Sequence, residues 1–264
     1  MTALSSLLGG NRAFGMNYLA GLQISHAADT DHDLTVAVGE CRDETNTYDL
    51  HLAAAMTKRV DAAWAVGSGS GGLDTGSVAL AWYHVFLIMK DSDGSIDVLF
   101  STQPITPTMP AGYTYRRRIG SRRTNASANW VQTVQYGDKV IYLTPIEDVV
   151  ALAFGPGSAL LTISSPAGIV CEAIFNIYVN FTAPGPASPA QYAITFNACT
   201  PGAVTGTISI IQMYTYPIVT GVTVGFGGGK SRVSTNTSSQ VYFTSNLLFS
   251  AWCTTLGYYD RRSR

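Results

Sequence analysis

The segment WYHVFLIMKDSDGSIDVLFST, Trp82 to Thr102, decides how the rest of this sequence is read. Val85, Leu87 and Met89 alternate with Phe86 and Ile88, and beyond Asp93-Gly94 the residues Ile96, Val98 and Phe100 alternate with Asp97, Leu99 and Ser101. Period-two runs of β-branched and aromatic residues make strands, and Asp-Gly between two such runs is a strong hairpin signal. An antiparallel hairpin turning at Ser92–Gly94 is expected. No catalytic machinery is visible in it.

The composition around the hairpin agrees with an all-β chain. Hydrophobic residues make up 46% of the 264 positions and charged residues 12%, about half the share usual in soluble domains. Twenty-six Gly and eleven Pro accompany many Thr and Ser, as expected for short strands joined by frequent turns. The net charge of −1 directs the chain toward neither nucleic acid nor an anionic membrane. Ala173 to Gly229 carries no charged residue, yet Pro184, Pro186, Pro189, Pro201, Gly202 and Gly206 break it too often for a spanning helix. Strands covered on both faces explain that run, and no membrane insertion is expected. The opening MTALSSLLGGNRAFG lacks the basic start and apolar core of a secretory signal, which suits assembly inside a cell. Cys41, Cys171, Cys199 and Cys253 are far apart with no C-x-x-C pair, so buried free thiols are expected rather than zinc or disulfides.

Three regions emerge along the chain. Residues 1–17 read as an attachment arm, 18–123 as a β-rich domain containing the hairpin, and 124–264 as a β-sandwich of jelly-roll type. Leu52 to Gly67, LAAAMTKRVDAAWAVG, is the one stretch with helical flavour. PITPTMPAG, Pro104 to Gly112, reads as an extended connector, because proline cannot donate to a ladder. From about Asn125 short strand candidates recur: 130–136, 139–143, 159–164, 169–180, 191–197, 205–214, 219–224, 240–244 and 248–254. The boundary is placed near Ser121–Ala128.

Motifs with chemical meaning fail on context. GSGSGG, Gly67 to Gly72, fits G-x-G-x-x-G but neither follows a buried strand nor opens a helix, so it reads as a flexible turn. GFGGGKS, Gly225 to Ser231, is one residue short of a phosphate-binding loop, since position 224 is Val224. Asp29, Asp31, Asp33 and Glu40 fall at calcium-loop spacing, but Leu34 stands where glycine is required, so an Asp-rich turn leading into a strand is expected. His26, His32, His51 and His84 show no ligand spacing, and His84 reads as packed or partnered. RRRIGSRR, Arg116 to Arg123, together with Arg261, Arg262 and Arg264 near the end, could form a phosphate-binding patch, but a solvated or salt-bridged strand over 116–123 is expected instead, with Asp91, Asp93 and Asp97 as candidate partners.

LAAAMTKRVDAAWAVGSGSGGLDTGSV, YHVFLIMKDSDGSIDVLFST and PTMPAGYTYRRRIGS occur in that order within residues 30–123. That string resembles tailed-bacteriophage virion proteins of the tail-fibre or receptor-binding kind. The resemblance implies a homotrimer in the virion, joined to other virion proteins through its N-terminal region, whose distal domain meets a host-surface glycan or protein. It implies no catalytic, cofactor-binding or metal-binding residues and leaves the receptor-binding residues unknown. No long shaft is present, so a short spike, a head fibre and an adaptor all stay open. A purely structural virion component, such as a head decoration, collar or baseplate adaptor, is the main alternative. A glycan-degrading enzyme would need two carboxylates about 5–10 Å apart, and the second half of the chain offers Asp138, Glu147, Asp148, Glu172 and Asp260.

The hairpin reading is directly testable. A Gly94→Val or Asp93→Pro change is expected to lower the yield of refolded protein and the urea midpoint, because the turn needs a left-handed residue at Gly94. A helix over residues 82–102 in a circular-dichroism or NMR assignment would contradict it.

Overall fold

The computed structural model describes residues 15–182, 192–202, 209–215, 223–227, 230–245 and 249–262. The expected arm over 1–17 therefore lies, up to residue 14, outside the described residues. The chain is all-β, and no helix occurs among the described residues. It divides into two compact units, the first made of residues 1–138 with 260–264 and the second of 139–259.

In the first unit the strands are β1 (Leu19–Gly21), β2 (Ile24–His26), β3 (Asp33–Val36), β4 (Gly39–Arg42), β5 (Asp49–Leu52) and β6 (Met56–Ala63). They are followed by β7 (Gly71–Leu73), β8 (Trp82–Lys90), β9 (Ile96–Ser101), β10 (Tyr113–Arg123) and β11 (Thr133–Tyr136). Seven form one sheet in the order β10-β8-β9-β7-β6-β3-β2, and β1-β4-β5 form a smaller one. One face of the large sheet supplies Leu34, Val36, Val60, Val85, Leu87, Val98 and Phe100 to a core that also takes Cys41, Leu50 and Leu52 from the small sheet.

The hairpin forms as the alternation dictates. Phe86 pairs with Leu99 and Met89 with Ile96. The loop closes through Gly94 N donating to the Lys90 carbonyl at 3.0 Å, with Gly94 at φ 73°. Both faces of β8 are buried. Tyr83, Val85, Leu87 and Met89 enter the main core, while Phe86 and Ile88 join Leu99 and Tyr113 on the reverse face beneath Trp64 and Met109.

The first unit also holds an ion pair without access to water. Lys58 Nζ is 2.7 Å from Asp97 Oδ1, and both side chains are wholly buried. Lys58 also donates to the Ala65 carbonyl at 2.6 Å, and Asp97 accepts from Gly67 N at 2.7 Å and Val98 N at 2.6 Å. Burial pushes the Lys58 ammonium below its usual range, and the hydrogen bond and charge of Asp97 oppose that drop. Every polar atom that the pair draws from the backbone lies in the loop after β6 or on β9.

Two expectations are corrected here. Residues 52–67 contain no helix: β5 ends at Leu52 and β6 spans Met56–Ala63. Lys58 and Val60 point inward while Arg59 and Asp61 point out, so burial imposes period two on a segment whose alanines favour helix. The glycine-rich loop is likewise no flexible turn in its second half, because Gly71, Gly72 and Leu73 form β7 and are buried. A Cβ on Gly72 would stand 2.8 Å from the Phe100 ring, so only glycine lets this backbone cross the core. The Asp-rich turn is as expected: Asp29 Oδ1 accepts from Asp31 N at 3.0 Å and His32 N at 3.3 Å, and Asp33 begins β3.

The division between units falls at Asp138/Lys139, later than the Ser121–Ala128 boundary read from sequence. Trp130 accounts for the delay. It is 2% exposed, bridges to Thr124, and packs edge-on against Tyr83 and Phe100 at 5.7 and 5.5 Å between ring centres. Residues 260–264 also belong to the first unit, so the second is inserted within it.

The inserted unit contains β12 (Lys139–Phe154), β13 (Gly157–Thr162), β14 (Glu172–Thr182), β15 (Tyr192–Cys199) and β16 (Ser209–Thr215). It continues through β17 (Thr223–Gly227), β18 (Ser231–Ser234), β19 (Gln240–Ser245) and β20 (Phe249–Tyr259). One sheet holds β12-β20-β14-β17 in order, with β18 also on β14, and the other holds β13-β19-β15-β16. The pairs β12·β20, β13·β19, β14·β17 and β15·β16 are those of a two-stranded antiparallel ribbon. Rolling that ribbon so that alternate pairs fall in opposite sheets makes a jelly roll. Phe175, Ile177 and Val179 on β14 face Val241 and Phe243 on β19 across the core, with the Phe175 and Phe243 rings 5.8 Å apart. The four cysteines are free and buried, and burial pushes the Cys41 thiol up to about 12.

Removing one partner of the buried pair is expected to be costly. Asp97→Ala should lower stability by about 3–5 kcal/mol in urea unfolding, because Lys58 is left charged and unpaired. Joint replacement by Lys58→Met and Asp97→Leu should cost less than Asp97→Ala alone; an equal or larger loss would show that the loop hydrogen bonds outweigh the charge.

Candidate functional site

Two places concentrate groups with chemical potential, one in each unit. In the first unit β8 and β10 run antiparallel with Ser121 opposite His84. A register shift between Arg118 and Gly120 turns the Arg118 guanidinium toward the same point. His84 Nδ1 lies 3.0 Å from Ser121 Oγ, and Arg118 Nη1 donates to Ser121 Oγ at 3.1 Å. Arg118 then grips Asp260 with two bonds of 2.8 Å, one to each carboxylate oxygen.

Serine, histidine and aspartate are the residue types of a hydrolytic triad, but their arrangement here is structural. Ser121, His84 and Asp260 are each at most 1% exposed, so no reactant can reach the hydroxyl. Both oxygens of the aspartate are taken by the Arg118 guanidinium, whereas a triad aspartate serves to orient the histidine. His84 is thus packed and partnered, in line with its sequence setting.

The arginines of RRRIGSRR do form salt bridges, but with other partners than expected. Arg116 pairs with Glu44 at 3.0 Å, and Arg118 with Asp260. Arg117 donates to the Arg262 carbonyl at 2.9 Å, and Arg122 to the Ile24 carbonyl at 3.0 Å. Of the expected acids, Asp97 is taken by Lys58, Asp93 by Lys90 at 3.4 Å, and Asp91 accepts from Tyr115 Oη. Glu44 and Asp260 are remote in the chain and arrive by topology.

Four of the carboxylates in the second half of the chain are likewise engaged. Asp138 binds Arg262, Glu172 binds Arg232 and Asp260 binds Arg118, while Asp148 accepts from Ser164 N at 2.7 Å. Glu147 is the exposed one.

The second place is the outer face of the β12-β20-β14 sheet in the jelly roll. Along β14 the inner positions Ala173, Phe175, Ile177 and Val179 are buried, which turns Asn176 and Tyr178 to solvent. On β20 the partners across the ladder are Thr254 for Asn176, Trp252 for Tyr178 and Ser250 for Asn180. The Tyr178 and Trp252 rings are 5.5 Å apart and nearly edge-on, with Tyr178 43% exposed. Irregular pairing near Ala151, which has φ 49°, leaves Val150 61% exposed on the neighbouring strand. The result is an aromatic pair flanked by amides and hydroxyls, with no charge on those six β14 and β20 positions. Such a face can stack on the C–H side of a sugar ring and hydrogen-bond its hydroxyls, or pack against another protein surface.

The sequence pointed to this region through its charge-free run, without singling out Tyr178 and Trp252. Trp252 lies outside the run, and only the β14–β20 ladder brings the two rings together. Most of the run's remaining outer positions, at 181–197 and 203–229, have side chains outside the described residues. No protein-family model matches this chain, and no curated protein matches it.

The buried polar centre has a pH signature. Burial alone would raise the Asp260 carboxyl, but the Arg118 charge and hydrogen bonds, aided by His84 and Ser121, hold it below the usual carboxylate range. A group whose folded pKa is depressed stabilises the fold above its unfolded pKa, and that contribution is lost as pH falls through the folded value. Wild type is expected to unfold at higher temperature than Asp260→Asn at pH 7, with the gap closing below about pH 4. A gap independent of pH would contradict this.

Proposed function

We propose that this chain is a structural protein of a tailed-bacteriophage particle, a short fibre or spike whose jelly-roll unit contacts the host cell surface. The observation that carries the reading is the Tyr178–Trp252 aromatic pair, flanked by Asn176, Asn180, Ser250 and Thr254, on the outer face of a jelly-roll sheet. A sheet face in a free-standing soluble domain ordinarily carries Lys, Glu or Arg, which keep it soluble and blunt its edges. Here aromatic, amide and hydroxyl groups occupy six neighbouring positions, with the exposed Glu147 opposite Thr254, as suits contact with a sugar or a protein surface. The string of motifs in residues 30–123, which resembles tail-fibre and receptor-binding virion proteins, supplies the setting. In that setting the first unit attaches to the particle, the second faces outward, and three copies assemble.

Exposed apolar side chains favour one competing reading. Leu143, Val150 and Leu160 all stand out from the jelly roll. Contact with other virion proteins would cover them, as in a decoration or collar component without receptor binding.

Two measurements test these readings. Light scattering should give a mass three times the 28.1 kDa of one chain. Stable monomer at micromolar concentration would overturn the trimer. Labelled protein should bind cells of the host bacterium, and Tyr178→Ala with Trp252→Ala should weaken that binding about tenfold or more. Wild-type protein that enters particles but does not bind cells would favour the purely structural role.

A further inference from the structure

The segment leaving the jelly roll does not trail into solvent. Asp260 N donates to the Asp138 carbonyl at 2.8 Å, so the chain re-enters the first unit beside the point where it left. Asp260 is then buried on Arg118 through both carboxylate oxygens. Arg262, 5% exposed, donates from Nη1 to the Leu22 carbonyl at 3.0 Å and the Ile119 carbonyl at 3.3 Å, and from Nε to Asp138 at 3.2 Å. Its own carbonyl accepts from Arg117. Asp260 and Arg262 thus satisfy groups on the loop after β1, on β10 and at the end of the first unit's main segment.

We propose that residues 260–262 are a return latch, through which the first unit becomes fully ordered only after the jelly roll has been made and its last strand laid down. Synthesis runs from the N-terminus, so β8 and β10 exist some 140 residues before Asp260 does. Until then Arg118 lacks its two bonds to the Asp260 carboxylate and Arg117 its bond to the Arg262 carbonyl, and loss of a charge-assisted pair at a largely buried site destabilises its surroundings. The polar centre of Arg118, Ser121 and His84 therefore stays open while the second unit folds. The latch makes order in the first unit conditional on the second.

Hydrogen exchange followed by mass spectrometry tests it on the full chain and two variants. In a chain ending at Tyr259, amides in 82–90 and 113–123 should exchange about 100-fold faster or more, while those in β14 and β19 keep wild-type protection. Asp260→Asn keeps the shape of the latch but removes its charge. It should accelerate the same two segments by about tenfold and leave the jelly roll unchanged. If the shortened chain yields no soluble protein, Asp260→Asn decides. Wild-type protection of 82–90 and 113–123 in Asp260→Asn would overturn the latch. So would equal acceleration in both units, which would mark a general loss of stability.

Discussion

An ammonium and a carboxylate sealed from water, Lys58 and Asp97, set the terms for the first unit. In a low-dielectric interior neither tolerates a missing partner or a shifted register, because an orphaned charge costs far more than the pair gains. Asp97 fixes β9, and its hold on Gly67 N carries the glycine-rich loop into the sheet at β7. β9 fixes β8 through the hairpin, β8 presents His84 to Ser121 on β10, and β10 carries Arg118 to Asp260. The polar contacts form one relay across adjoining strands. Hydrophobic burial supplies the bulk of the stability, and the charges select which arrangement of strands receives it.

The jelly roll is specified differently. Among the described residues its core is a cluster of apolar side chains, with buried polar contacts at Asp148, Ser164 and Thr255, at Cys171 and Thr235, and at Ser239 and Ser165. Register there follows from alternation of buried and more accessible positions over 175–179 on β14 and 240–245 on β19, since a one-residue slip would turn those core side chains outward. This leaves the outward positions unconstrained by folding. Asn176, Tyr178 and Thr254 bear no burden in the core, which is the condition under which a surface can be tuned to a partner without loss of the fold.

Much of this architecture was legible in the sequence. The hairpin could be read because Asp93-Gly94 and two alternating runs agree at the level of turn, strand and face. The recurrent strands after residue 130 could be read from the same period-two signal, and the jelly roll from their number and spacing. What the sequence hid was pairing over long distances. Lys58 lay in an alanine-rich stretch whose local preference is helical, and only the arrival of β9 makes it a core residue. Arg118 seemed destined for a nearby acid until the return of the chain brought Asp260. The Tyr178–Trp252 contact needs a ladder that joins residues 74 positions apart. No local pattern encodes such meetings.

The closeness of Asp138 and Asp260 has a consequence for how such a chain could have arisen. A domain whose first and last strands pair with one another, as β12 and β20 do from Lys139 opposite Tyr259 onward, presents its two ends side by side. The first unit presents two matching stumps, joined by a single backbone hydrogen bond. Any other module with adjacent ends could be spliced at that seam, provided the sequence after it restores an aspartate for Arg118 and an arginine for the Leu22 and Ile119 carbonyls. The seam is a socket for recombination: the scaffold can be inherited while the exchanged part diverges, and the three residues beyond it are the signature by which related scaffolds with unrelated inserts would be recognised.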